Sequence, residues 1–170
     1  MRGASLAYTY FESPIGALLL AGETDALQVL GFPSGSRAME PAPTWIRDDR
    51  VFRDVRDQLA AYFTGELRAF DIAIDPRGTP FQQHVWHLLA TIPYGETRSY
   101  GDLALTLGAS GASRAVGAAN GANPLPIILP CHRVIGSTGK LTGFGGGIAT
   151  KRYLLDLEAR VAGHTTLTLL

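Results

Sequence analysis

The chain has 170 residues, 46% of them hydrophobic and 18% charged, which suits one mid-sized domain or two small ones and excludes fibrous, collagen-like and largely disordered classes. Lys plus Arg equals Asp plus Glu at 15 each, so the total charge gives no reason to expect a nucleic-acid, membrane or acidic partner. The single cysteine, Cys131, excludes an intrachain disulfide and makes a reducing compartment, the cytoplasm, the simpler setting.

Leu6 to Phe11, Gly16 to Ala21 and Ala26 to Phe32 are short apolar, aromatic or β-branched runs bounded by Ser13-Pro14, Gly22 to Asp25 and Pro33 to Gly35. They predict a three-stranded meander. The run Ile15 to Ala21 is too short for a membrane span and follows Glu12 rather than a basic segment, so neither secretion nor membrane insertion is expected. After a loop marked by Pro41 and Pro43, helical spacing of Val51, Val55, Leu59 and Phe63 predicts a helix from about Asp48 that Gly65 ends. Phe70 to Ile74 reads as a further strand. The turn cluster Asp75-Pro76-Arg77-Gly78 separates an N-terminal α/β domain, 1–76, from a C-terminal domain, 77–163.

Thr79-Pro80-Phe81-Gln82 carries a threonine N-cap, proline at the first helical position and glutamine at N3, so a helix begins there and ends before Pro93. Ser99-Tyr100-Gly101-Asp102 starts a second helix that ends at Gly108, and a third begins near Ser110 and includes Arg114 to Ala119. Two short helices across a glycine-containing turn form a helix-turn-helix pattern. The second of the pair is mostly Ala and Gly with one Arg, a face lacking the Asn, Gln and Lys that read base edges in a major groove. It suits close approach to a backbone or minor groove, or simply tight packing against neighbouring helices.

Asn120 to Pro130, with Pro124, Pro126 and Pro130, is expected to be irregular and non-helical, and leads into Cys131-His132-Arg133-Val134. A glycine loop, Gly143 to Gly147, precedes a last amphipathic helix carrying Tyr153, Leu154, Leu157 and Val161. The tail, 164–170, is unassigned. Neutrality averages unlike halves: residues 1–80 hold eight Arg against eleven Asp and Glu, a balance of −3, and residues 81–170 hold seven Lys and Arg against four, a balance of +3. That asymmetry points to an interaction surface on the second half, with a chance excess of three charges as the alternative reading.

A thiolate is the nucleophile, and a base, a helix N-terminus or nearby cations help it form. Cys131 has His132 and Arg133 beside it, but adjacent side chains diverge, so His132 reaches the sulfur through a turn or a bridging water. A buried structural thiol is the alternative reading of a Cys-His pair.

Asn123-Pro124-Leu125-Pro126-Ile127-Ile128, followed by Pro130-Cys131-His132-Arg133-Val134, resembles the active-site segment of the methylated-DNA–protein-cysteine methyltransferases, the 6-O-methylguanine-DNA repair proteins. The resemblance extends upstream to Phe81-Gln82, Val85-Trp86, Ile92-Pro93, Gly95, Thr97, Ser99-Tyr100 and Arg114-Ala115-Val116-Gly117. Downstream it takes in the Gly143 to Gly147 loop and Leu154-Leu155 with Glu158. It implies an α+β chain with a small ribonuclease H-like N-terminal domain and a mostly helical C-terminal domain containing the helix-turn-helix.

The same resemblance implies that Cys131 attacks the alkyl carbon on guanine O6 and keeps it as a thioether, so each molecule acts once. His132, through a water, takes the thiol proton, Glu158 orients the histidine, Tyr100 protonates the leaving guanine, and Asn123 braces the turn presenting Cys131. Arg114 fills the stack vacated by a flipped nucleotide. Ala115 and Tyr100 also contact DNA, while Val134, Phe144 and Gly145 line the base pocket. The implied partner is double-stranded DNA approached through the minor groove by a monomer, with no cofactor, metal or membrane.

Two departures stand out. Phe144-Gly145 replaces the Tyr and small polar residue common in that loop, leaving backbone amides as its donors. The zinc-binding N-terminal cysteines of some relatives are also absent. His84 and His87 are spaced like a metal pair but lack further ligands. Two other functions are weighed against this one by the residues: a non-catalytic binder of alkylated DNA on the same fold, against which the cysteine argues, and a cysteine hydrolase or acyltransferase using Cys131 and His132.

Overall fold

The computed structural model describes residues 5–109, 111–141 and 143–163. The 164–170 tail and Ser110, near which the third C-terminal helix was expected to begin, lie outside the described residues.

The three apolar runs form β1 (Ala7–Ser13), β2 (Gly16–Glu23) and β3 (Ala26–Gly31), joined as an antiparallel meander. A fourth strand, β4 (Ile46–Arg47), pairs parallel to β1 and completes the sheet order β3-β2-β1-β4. Gly16 takes φ +106° in the tight β1–β2 turn, where a side chain would press on Pro33.

Helix α1 (Arg53–Phe63) packs on this sheet through Val55, Leu59, Tyr62 and Phe63. It starts later than the apolar spacing from Asp48 suggests, because Phe52 sits in the left-handed region at φ 59° and breaks the helical run. Gly65, at φ +85°, ends it as expected. The predicted strand over Phe70 to Ile74 is a correction. The segment meets the sheet only through a bridge between Ile74 and Leu27, flanked by hydrogen bonds from Leu27 N to Ala73 O and from Asp75 N to Leu27 O. Its apolar side chains instead face the core shared with the helices.

Helix α2 (Pro80–Leu89) opens with the capping box anticipated at Thr79 and Gln82, each side chain satisfying the other's backbone amide. Strand β5 (Arg98–Ser99) leads into α3 (Tyr100–Thr106), capped reciprocally by Ser99 and Asp102. Helix α4 (Ser113–Gly121) packs against both α2 and α3, and Trp86 Nε1 donates a 2.8 Å hydrogen bond to Ala119 O. Asn120 and Gly121 therefore belong to a helix, correcting the expectation that the irregular stretch begins at Asn120; the prolines break the chain only from Pro124 onward.

A 3-10 turn over Cys131–Arg133 runs into β6 (Val134–Ile135), which pairs parallel with β5, and α5 (Ile148–Val161) closes the chain. The sheet, α1 and the C-terminal helices share one contiguous core, with Leu18, Leu59, Tyr62, Trp86, Leu125 and Leu154 almost fully buried. This is a mixed α+β architecture, with an N-terminal β-sheet domain and a helical C-terminal domain held against each other by apolar burial.

Candidate active site

Cys131 is 5% exposed and lies at the wall of a cavity of about 360 Å³. The end of α4 contributes Ala118, Asn120 and Gly121, the proline-rich loop contributes Asn123, and the glycine loop contributes Phe144 and Gly145. The opposite wall comes from the N-terminal domain, through Phe32 and Arg37. No sequence motif announced that wall.

The glycine loop is fixed by this domain contact. Phe144 tilts against Phe32 at 5.5 Å between ring centroids, Arg37 N donates to Gly145 O at 3.0 Å, and a Cβ on Gly146 would stand 2.9 Å from the Phe32 ring. Glycine is required where backbone presses directly on an aromatic face.

Upstream of the thiol, Asn123 is 7% exposed and holds its own loop closed. Its Nδ2 donates to Leu129 O at 2.7 Å, and its Oδ1 accepts from Leu125 N at 2.9 Å. Within that loop Ile127 is buried at φ 76°, a conformation a β-branched residue rarely adopts. The Asn123 bridge spans this strained residue and delivers the chain to Pro130.

Burial pushes the Cys131 thiol up to about 11, opposed by the Asn123 side chain and the charge of Lys151. At neutral pH it rests as a thiol and needs a proton acceptor to become a nucleophile. His132 is fully buried in the same 3-10 turn, and its Nε2 lies 2.7 Å from Glu158 Oε2. The carboxylate fixes the ring proton on Nε2 and leaves Nδ1, buried and without a protein partner, as the basic nitrogen. Burial pulls His132 below its ordinary value despite the neighbouring Glu158 charge, so the ring is neutral near pH 7.

Burial alone would raise the Glu158 carboxyl, but His132 and Arg133 hold it well below the usual carboxylate range. Arg133 Nε and one terminal nitrogen reach its two oxygens at 2.8 and 3.0 Å, while the other terminal nitrogen donates to Ile92 O at 2.7 Å. The buried charges are thus paired and hydrogen-bonded.

Lys151, fully buried on α5, donates from Nζ to Val134 O at 2.6 Å. Burial pulls it down to about 8, opposed by the negative charge that Cys131 carries once ionised. Sequence reasoning missed Lys151, although its spacing carries the signal: Lys151, Leu154, Leu155 and Glu158 fall at i, i+3, i+4 and i+7, the inward stripe of α5.

The structure thus brings together Cys131, His132, Glu158, Asn123, Phe144 and Gly145. Val134, expected in the base pocket, lies outside the cavity lining; its side chain is fully buried and its carbonyl is engaged by Lys151. Tyr100 is half-buried at the start of α3 and faces α4, where a Cβ on Gly117 would lie 3.8 Å from its ring. Arg114 and Ala115 are exposed on α4, the same helix whose end walls the cavity. His84 and His87 lie on α2, and His87 Nδ1 is 2.9 Å from Gln83 O. Among the described residues no group of three or more His, Cys, Asp or Glu could hold a metal ion.

Fold and site together define a two-domain protein with one buried thiol next in the chain to a paired histidine and carboxylate, at a cavity walled in part by the end of a small helix. Comparison with known proteins assigns that class. Residues 6–76 match the family model described as the 6-O-methylguanine DNA methyltransferase ribonuclease-like domain, and residues 80–160 match that of the same enzyme's DNA-binding domain. The chain is 51% identical over 151 residues to a methylated-DNA–protein-cysteine methyltransferase of Methanosarcina acetivorans, covering 89% of this chain and 97% of that one. It is 57% identical over 152 residues to the protein of the same name from Mycobacterium tuberculosis, covering 89% and 91%. A crystal structure of Mycobacterium tuberculosis OGT in complex with DNA superposes with a TM-score of 0.86 at 53% identity, covering 96% of this chain and 97% of that chain. The chain belongs to the 6-O-methylguanine DNA methyltransferase family.

Proposed function

We propose that this protein repairs DNA by a single, irreversible transfer of a methyl or other alkyl group from O6 of guanine to Sγ of Cys131. The observation that carries this reading is a thiol buried in a cavity beside a paired His132 and Glu158, in a chain of this family. As the S–C bond forms, the C–O6 bond breaks and its electron pair leaves on the guanine. The thiol proton passes through a water to His132 Nδ1, and Glu158 steadies the imidazolium. Tyr100 supplies the proton that neutralises the departing guanine. No group in the site can cleave the thioether, so each molecule acts once.

A guanine inside a duplex cannot present its O6 substituent to a buried sulfur, so the nucleotide is flipped into the cavity against Phe144 and Gly145. Helices α3 and α4 act as the helix-turn-helix, with the small exposed side chains of α4 entering the minor groove and Arg114 filling the vacated stack. The reading takes residues 1–76 and 77–163 as the two domains and the acting species as a cytoplasmic monomer without a cofactor.

The test is a duplex carrying one O6-methylguanine, with product guanine counted per protein molecule. One conversion per molecule is expected, with Cys131→Ser binding the duplex but leaving the base methylated. Repeated turnover, or repair by Cys131→Ser, would overturn the reading.

A further inference from the structure

The Glu158 carboxylate receives more donors than its pairing with His132 requires. Its Oε2 accepts from His132 Nε2 at 2.7 Å, from Tyr62 OH at 2.7 Å and from Arg133 at 3.0 Å. Its Oε1 accepts from Arg133 Nε at 2.8 Å and from Gly95 N at 3.3 Å. A carboxylate offers about four lone-pair sites, so this one is saturated.

Tyr62 stands apart from the other donors because it comes from α1, in the N-terminal domain, and lies 96 residues away in sequence. It is fully buried, with its ring packed at 5.3 Å against Phe63, 5.5 Å against Phe70 and 6.3 Å against Tyr94. Burial and the Glu158 charge raise its pKa well above the ordinary phenol value, so it acts as a neutral donor at every working pH.

We propose that Tyr62 is a positioning residue for alkyl transfer: by donating to the same carboxylate oxygen that holds His132, it sets the basicity of the histidine, and the N-terminal domain thereby tunes chemistry performed in the C-terminal one. The inference rests on His132 as the proton acceptor. A donor on Oε2 withdraws negative charge from the imidazole N–H. Without it the carboxylate stabilises the imidazolium more strongly, and His132 holds its proton to higher pH. Arg133 from the 3-10 turn, Lys151 from α5 and Tyr94, whose ring lies within 5.5 Å of both the Arg68 and Arg133 guanidinium carbons, also face this cluster. All of them persist when only the Tyr62 hydroxyl is removed.

Tyr62→Phe preserves the ring and deletes the hydroxyl; Phe63→Leu disturbs the same aromatic cluster without touching Glu158. For each protein the single-turnover rate on methylated duplex is measured against pH, and the His132 imidazole is titrated by NMR without DNA. In Tyr62→Phe both the acid limb of the rate profile and the imidazole titration are expected to move to higher pH, with the rate on the acid side falling about three- to tenfold and the plateau retained. Phe63→Leu is expected to lower stability and move neither midpoint. Protein carrying 3-fluorotyrosine at position 62 alone, a stronger donor in an unchanged fold, is expected to move the imidazole titration the other way.

Unmoved midpoints in Tyr62→Phe, while His132→Gln abolishes transfer, would overturn the assignment of Tyr62 alone. A displaced imidazole titration beside an unmoved rate profile would overturn both that assignment and the role of His132. An equal displacement in Phe63→Leu would show that Tyr62 acts only through packing.

Discussion

Lys151 Nζ and the carbonyl of Val134 are joined by a 2.6 Å hydrogen bond that ties α5 to the chain three residues beyond Cys131. The bond does two things at once. It satisfies a buried carbonyl, and it brings a cation to the neighbourhood of a thiol that burial holds up at about 11. The same burial depresses the lysine to about 8, so the cation that helps the thiolate is itself lost as pH rises past that value.

Replacing Lys151 with Met should therefore make the thiol harder to ionise and leave Val134 O without its donor. Alkyl transfer at pH 7 is expected to slow by about tenfold or more, because one pKa unit is worth about 1.4 kcal/mol. Reactivity of the free protein's thiol toward iodoacetamide, followed against pH, separates this from a folding effect. A folded Lys151→Met protein with wild-type thiol reactivity would contradict the electrostatic account.

Glu158→Gln tests the buried network from the other side. It leaves Arg133 buried with its charge uncompensated, and removing one member of such a pair costs about 3–5 kcal/mol. Urea unfolding at pH 7 should show that loss, and single-turnover repair should slow by about 10² or more as the histidine loses its partner. The pH dependence has a definite sign. The Glu158 carboxyl titrates lower in the folded chain than in the unfolded one, so its stabilisation is complete above the ordinary glutamate range and fades as pH falls through the depressed folded value. Wild-type stability should thus fall toward acid pH more steeply than that of Glu158→Gln, and parallel acid melts of the two proteins would contradict it.

Arg114 is exposed on α4, clear of the residues that line the cavity, so its proposed work is on the DNA and not on the thiol. Arg114→Ala is expected to leave stability within about 0.5 kcal/mol of the parent, as surface changes usually do. It should slow repair of methylated duplex much more than repair of the same strand unpaired, where no stack needs filling. Equal slowing on both substrates would assign Arg114 to general phosphate attraction instead.

Where structure is decided by neighbours in the chain, the sequence was legible. Thr79 with Gln82 and Ser99 with Asp102 cap their helices through contacts three residues apart, and both starts could be placed to the residue. The three meander strands could be read for the same reason. Strand β4 could not, because two exposed residues, Ile46 and Arg47, show no alternation. Phe70 to Ile74 misled because a short apolar run reads as strand whether it joins a sheet or merely covers a core.

The site divides in the same way. Cys131, His132, Asn123 and Glu158 were found through a motif. Tyr62, Phe32 and Arg37 act on it across sequence separations that no local pattern records. Lys151 was hidden differently: a lysine on the inward face of a helix is ordinarily a surface residue, and only its register with Leu154, Leu155 and Glu158 marks it as buried.

The most direct measurement is the intact mass of the protein after exposure to a slight excess of duplex containing O6-methylguanine, beside an unmethylated duplex, followed by mapping of the modified peptide. The account predicts that every molecule gains one methylene, carried by Cys131, and that the unmethylated duplex adds nothing. An unchanged mass after complete exposure, or a methylene carried elsewhere than on Cys131, would contradict it.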